Sequence, residues 1–142
     1  DSGKAEDLIK KAVVNDAGAK IKSVDCPGDK TAKKGGTFTC QVTGADGTKG
    51  SALVTMTSDD GKVRVSAPFV HPREAESQIA KGIKDQAKLK AIAVTCPEII
   101  VGKAGATFTC KAVGDGQKAD VLVTQTNGTG GFTYKVRNSA GG

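Results

Sequence analysis

The chain has no tryptophan, one tyrosine and four phenylalanines, so aromatic residues are only 4% of it. Aromatic side chains give the largest burial per residue, and a chain this short of them builds a lean core. There is one histidine, His71, and there are three arginines, Arg64, Arg73 and Arg137. The first scarcity leaves Ser-His-Asp or Cys-His chemistry dependent on a single imidazole. The second, together with the missing aromatics, leaves too little for nucleic-acid recognition, which draws on clustered Arg and stacking rings. No apolar run approaches the length of a membrane-spanning helix. Neither an Asp-x-Asp-x-Asp-Gly calcium ladder nor a Gly-x4-Gly-Lys-Ser/Thr phosphate loop occurs. The nearest carboxylate pairs are Asp59 with Asp60, Asp25 with Asp29, and Glu74 with Glu76. Asp59-Asp60-Gly61 reads better as a hairpin turn. No acid, base and nucleophile set can be assembled, so the expectation is a protein that is not an enzyme and uses no cofactor.

What is present is a duplication. Cys26 and Cys40 recur 70 residues later as Cys96 and Cys110. Each pair has Cys-Pro at its first position and Gly-x-Thr-Phe-Thr-Cys at its second. Self-similarity takes precedence over length, and it divides the 142 residues into two units near the lower size limit for folding alone. A covalent staple suits units this small. Each copy holds two cysteines in equivalent places, so the pairs Cys26 with Cys40 and Cys96 with Cys110 are the simplest of the possible connectivities. Each closes a loop of about 15 residues, worth roughly 3 kcal/mol in the chain-entropy description. A zinc site would want close-set pairs such as Cys-x2-Cys, and His71 is remote from both pairs in sequence, so no metal is expected. Paired structural cysteines imply an oxidising compartment, hence secretion or the cell envelope. The start at Asp1-Ser2-Gly3-Lys4 without an apolar h-region is expected of a mature form, from which a targeting segment or lipid-anchor cysteine has been removed.

Each copy opens on an amphipathic helix, marked by Ala5, Leu8, Ile9, Ala12 and Val13 in the first and by Ala75, Ile79 and Ile83 in the second. Gly18 suits the first helix end and Pro72 the second helix start. Gly82, in the place of Ala12, predicts close approach of the sheet or a weaker helix. The period then changes to 2. Strands are predicted over 21–26, 37–43, 51–57 and 62–67, and again over 91–96, 107–113, 120–126 and 132–136, with Phe38, Cys40 and Val42 facing the core and threonines facing outward. A polar or glycine-containing loop is expected between the two cysteines of each copy. From Asp46-Gly47 and Asp115-Gly116 onward the copies align at 69 residues, a one-residue deletion in a turn. The fold class is therefore α+β: two tandem repeats, each an N-terminal α-helix packed on a four-stranded antiparallel meander with one disulfide. The boundaries are 1–67 for the first repeat, 68–72 for a Pro-flanked linker and 73–142 for the second repeat. Two prolines stiffen the linker, Phe69 and Val70 are placed to fill the gap between modules, and the fourth strand of one copy is a candidate to pair with an edge of the other.

The net charge is +6, with both signs interspersed. Lys30, Lys33 and Lys34 lie in the first disulfide loop, and Lys103 is the counterpart of Lys33 in the second. They are candidate binding residues for an anionic group, although exposed loops also carry lysine for solubility. His71 is expected to face solvent or cap the second helix.

The helix, the Cys-Pro step, the Gly-x-x-Phe-x-Cys strand and the terminal Asp-Gly-x-Val-x-Val hairpin resemble a family of actinobacterial secreted proteins and lipoproteins, numbered 4333 among the domains of unknown function. Cys26, Pro27, Gly35, Phe38, Cys40, Asp60, Gly61, Val63 and Val65 carry the resemblance, and Cys96, Pro97, Gly105, Phe108 and Cys110 repeat it. The second copy departs at Thr129-Gly130-Gly131-Phe132, which replaces the Asp-Gly hairpin. The resemblance implies an envelope location and a disulfide in each copy, and it implies no reaction. The plan is also similar to that of secreted beta-lactamase inhibitor proteins, an analogy of architecture only. The expected function is that of a non-enzymatic, extracytoplasmic binding module of an actinobacterial cell envelope. Its candidate partners are another envelope or secreted protein, or an anionic wall polymer. The alternative is a secreted inhibitor of an extracellular protease or beta-lactamase, for which Tyr134 and the three arginines are the available anchors.

Overall fold

The computed structural model describes residues 2–26, 34–60 and 62–138. The first repeat contains α1 (Ser2–Lys11), β1 (Ile21–Asp25), β2 (Thr37–Gly44), β3 (Lys49–Met56) and β4 (Val63–Ser66). The second contains α2 (Pro72–Ala87), β5 (Ala93–Thr95), β6 (Thr107–Gly114), β7 (Gln117–Gln125) and β8 (Phe132–Asn138). Each set of strands forms a four-stranded antiparallel meander in sequence order. The disulfides join Cys26 to Cys40 and Cys96 to Cys110.

The helical stripe and the strand alternation make one core per repeat. Ala5, Ile9 and Val13 are fully buried against the face of β2 and β3 that carries Phe38, Cys40, Val42, Ala52 and Val54. Ala75, Ile79 and Ile83 play the same part over Cys110, Ala112, Val121 and Val123. One acidic residue in each helix fastens it to its disulfide. Glu6 Oε2 accepts the Cys26 N–H at 3.2 Å, and Glu76 Oε2 accepts the Cys96 N–H at 2.8 Å. Glu76 is thus a brace, and its sequence neighbour Glu74 stays exposed, so the two do not act as a pair.

The helices end differently. After Lys11 the first helix widens into a π-turn over Ala12–Asp16, and the chain reverses at Gly18, whose φ is +66°. α2 starts at Pro72, with His71 as its N-cap, and stops at Lys88, which takes the left-handed conformation without being glycine. Gly82 marks a close approach of the sheet: a Cβ there would collide with the Tyr134 hydroxyl from β8. β5 is shorter than the predicted 91–96 because the chain before it folds inward. Leu89 and Ile92 pack on the second core and cover Gly114 instead of extending the ladder.

The expected pairing of a fourth strand with the other sheet does not occur among the described residues. The sheets remain separate, and an isolated bridge, Phe69 with Val101, joins the linker to the second disulfide loop. Strand edges are therefore not what joins the repeats.

Candidate functional site at the junction of the repeats

The second disulfide loop is the joint. Its segment Glu98-Ile99-Ile100-Val101 runs antiparallel to the linker, with Val70 N–H donating to Ile100 O and Gly102 N–H donating to Pro68 O, each at 2.7 Å. An extended segment turns alternate side chains to opposite sides. Ile99, 5% exposed, enters the core of the first repeat, and Ile100, 3% exposed, enters that of the second. Phe69 packs on the first core and Val70 on the second, filling the gap between modules. The first repeat receives Ile99 at Gly50, on the core face of β3. A Cβ on Gly50 would lie 2.8 Å from Ile99 Cγ2 and 2.9 Å from Phe69 Cε1, so the seat exists because that position carries no side chain.

Polar groups fix the joint on both sides of Ile99. Glu98 is only 8% exposed. Its Oε1 accepts the Lys20 N–H of the first repeat at 2.8 Å, and its Oε2 accepts from Arg73 Nη2 of α2 at 2.7 Å. Arg73 also holds Glu76 through Nη2 at 3.2 Å. Its Nε lies 3.0 Å from Glu76 Oε1, an ion-pair distance at an angle that makes no directed hydrogen bond. On the opposite side the β2–β3 turn meets the loop backbone. Glu98 N–H donates to Asp46 Oδ2 at 3.1 Å, and Ile99 N–H donates to Thr48 Oγ1 at 3.0 Å. The Thr48 hydroxyl in turn donates to Asp46 Oδ1 at 2.6 Å.

These contacts give the joint a pH dependence. Partial burial by itself raises the Asp46 carboxyl, but the hydrogen bonds from the Thr48 hydroxyl and from the Glu98 and Thr48 N–H groups outweigh it and hold the carboxyl below the usual carboxylate value. The docked state therefore prefers the carboxylate. Its contribution is complete above the unfolded value of about 4 and is lost as pH falls through the lower folded value. Thermal melts of the chain and of Asp46→Asn from pH 6 to pH 3 check this: the parent's advantage is expected at pH 6 and should shrink in acid.

Beside the joint lies a cleft of about 530 Å³ between the repeats. Ala12 and Ala17 of the first helical segment, Val65 and Ala67 at β4, and Phe69, Val70, Ala75 and Phe132 give it an apolar lining. Glu74 and Gln78 of α2 and Thr129 of the β7–β8 turn are its exposed polar groups. That turn is shaped by Asn127, whose Oδ1 accepts from the N–H groups of Thr129 and Gly131, each at 2.9 Å. His71 also lines the cleft, but its Nδ1 accepts the Glu74 N–H at 3.2 Å as the helix cap, so the neutral ring carries its proton on Nε2. The ring lies against Gly18, where any Cβ would overlap it. Dimensions and lining suit apolar side chains or another small apolar group.

The family described as Domain of unknown function (DUF4333) matches residues 1–61 and matches again over residues 64–130. The chain belongs to the DUF4333 family. No curated protein and no solved structure matches it.

The two DUF4333 copies differ most where they touch. Glu98, Ile99, Ile100 and Val101 stand where the first copy has Gly28, Asp29, Lys30 and Thr31, and Arg73 stands where it has Gly3. Gln125 replaces Met56, and its amide holds the second loop by donating to Val101 O and accepting from Lys103 N, each at 3.0 Å. The second loop contains Gly102 and Gly105, within the expectation of a polar or glycine-containing loop, but it is aliphatic over Ile99 to Val101. An Ile-Ile-Val run inside a short disulfide loop was the available signal, since a solvated loop has no use for three aliphatic side chains in succession.

Of the candidate lysines, Lys30 and Lys33 lie outside the described residues. Lys34 and Lys103 are exposed. Their backbone N–H groups are held by Asp59 Oδ1 and Gln125 Oε1 respectively, and neither residue is part of the cleft lining. Among the described residues no group of three or more His, Cys, Asp or Glu is placed to hold a metal ion.

Proposed function

We propose that this tandem DUF4333 chain is a non-enzymatic binding module that works outside the cytoplasm, on an actinobacterial cell envelope, and receives apolar side chains of a protein partner in the inter-repeat cleft. The observation that carries the reading is the cleft itself. It is lined by the linker residues Pro68 to His71, which neither repeat duplicates, and it exists only when the two repeats are joined. Two disulfides support an oxidising compartment. Among the described residues, no helix is long and apolar enough to cross a membrane. The sole imidazole is committed to capping α2 and to packing on Gly18, a structural role that favours binding over proton transfer.

A photo-crosslinking side chain at Gln78, on the cleft, and another at Thr109, on the exposed face of the second sheet, test this in the envelope of the producing cell. The expected result is a defined protein adduct from Gln78 alone, lost when Ala67→Phe fills the cleft. No adduct from Gln78, or the same products from both positions, contradicts it. An adduct with a secreted hydrolase that is inhibited stoichiometrically would assign the inhibitor reading instead.

A further inference from the structure

Each sheet ends in two edge strands, and β8 is the longest of the four. It spans seven residues, against three for β5, four for β4 and five for β1, whose ladder is broken by a register shift. The phase of its hydrogen bonds follows from the turn before it. Thr126 N–H donates to Gly131 O at 2.9 Å, and in an antiparallel ladder such bonded pairs recur at every second residue. Thr133, Lys135 and Arg137 therefore bond to Thr124, Leu122 and Asp120 of β7. Phe132, Tyr134 and Val136 turn their N–H and C=O groups the other way, to the outer edge, and among the described residues nothing meets them. A row of unpaired donors and acceptors is a template for another strand.

The side chains select which strand. Lys135 and Arg137 are exposed on the outward face of β8, and neither forms an ion pair among the described residues. Asp120, the acid opposite Arg137, is taken by Lys111 at 2.6 Å. A second β8 laid against this edge would bring two more cations to the same face, and like charges across a ladder oppose pairing where opposite charges favour it. We infer that the β8 edge receives an extended, acidic strand of a partner protein. Main-chain hydrogen bonds to Phe132, Tyr134 and Val136 hold it, its acidic side chains lie beside Lys135 and Arg137, and its apolar ones lie beside Phe132 and Tyr134, which pack on the second core. The cations both discourage self-pairing and choose the partner. The edge begins at the inter-repeat cleft, whose lining includes Phe132 but neither Tyr134 nor Val136. A strand added here is held without any occupant of the cleft.

Amide hydrogen exchange of the whole chain, read by NMR, tests this with an end-blocked Thr-Glu-Val-Glu-Val-Glu-Thr peptide and a control that has Lys for each Glu. Without peptide, the amides of Thr133, Lys135 and Arg137 should be protected and those of Phe132, Tyr134 and Val136 should exchange freely. The acidic peptide should bind saturably, protect Phe132, Tyr134 and Val136, and bind about tenfold more tightly than the control. Val136→Pro removes one edge donor and leaves the bonds to β7 in place, so it should abolish that protection. Lys135→Glu with Arg137→Glu, both exposed changes, should reverse the preference between the peptides, and this variant decides the matter if Val136→Pro does not fold. No saturable binding at millimolar peptide, new protection at other amides only, protection that survives Val136→Pro, or a preference untouched by the charge reversal would each overturn the proposal. Protection of the three edge amides that rises with protein concentration alone would assign the edge to a second copy and overturn it likewise.

Discussion

Replacing Ile99 with Asp is expected to separate the two repeats and to remove about 4 kcal/mol or more of stability. Truncating a buried isoleucine to alanine costs roughly 2–5 kcal/mol, and a carboxylate in the same place adds the penalty of an unpaired charge among apolar groups. The Ile99 side chain sits in the first core against Gly50, where Phe69 and Val101 also pack, an apolar seat for a carboxylate. Once it leaves, Glu98 loses the Lys20 N–H, and Asp46 and Thr48 lose their donors from the loop. Chemical denaturation followed by far-ultraviolet circular dichroism reads the outcome. The parent should unfold in one transition whose slope reflects the surface of both repeats, and Ile99→Asp in two transitions with smaller slopes. A conservative Ile99→Val should keep the single transition and cost about 1 kcal/mol.

The second large effect belongs to the disulfides, and the two are not equivalent. Each spans a sequence separation of 14, so on loop entropy alone either double Cys→Ser variant should lose about 3 kcal/mol, roughly 12–24 °C in Tm for units of this size. Cys96 and Cys110 anchor the loop that carries Glu98 and Ile99, whereas the first repeat's described polar contacts at the joint come from Lys20, Asp46 and Thr48, which lie outside the loop that Cys26 and Cys40 close. Loss of the second bridge therefore loosens the joint as well as its own repeat. Cys96→Ser with Cys110→Ser should give separate transitions, and Cys26→Ser with Cys40→Ser should lower stability while the repeats stay coupled. Differential scanning calorimetry under non-reducing conditions distinguishes them.

The repeats themselves were legible because both periods survive in the sequence. Phe38, Cys40 and Val42 alternate with threonines as a strand must, and Ile9 with Val13 and Ile79 with Ile83 keep the helical step. Pro72 and Gly18 mark helix ends by local chemistry, which is why the sequence places them well. The joint was legible only in part. Phe69 and Val70 stood out as apolar residues in a linker, but their partners lie about 30 residues onward in a disulfide loop, and no local rule connects the two. Reading the copies for likeness also concealed the signal, since the joint is made from what differs: Ile99 against Asp29, Arg73 against Gly3, and Gly50 against Ala119. A head-to-tail contact between copies of one fold uses two unlike surfaces, and here each is built from residues that the other copy lacks. The cleft follows from the joint and shares its obscurity.

Residual dipolar couplings of backbone amides, measured over both repeats in a weakly aligned sample, test most directly whether the second disulfide loop locks the repeats into one body. One alignment tensor should fit the amides of β2, β3, β6 and β7 together, and Ile99→Asp should split it into two. Two independent tensors in the parent chain would contradict the docked joint and, with it, the cleft that depends on it.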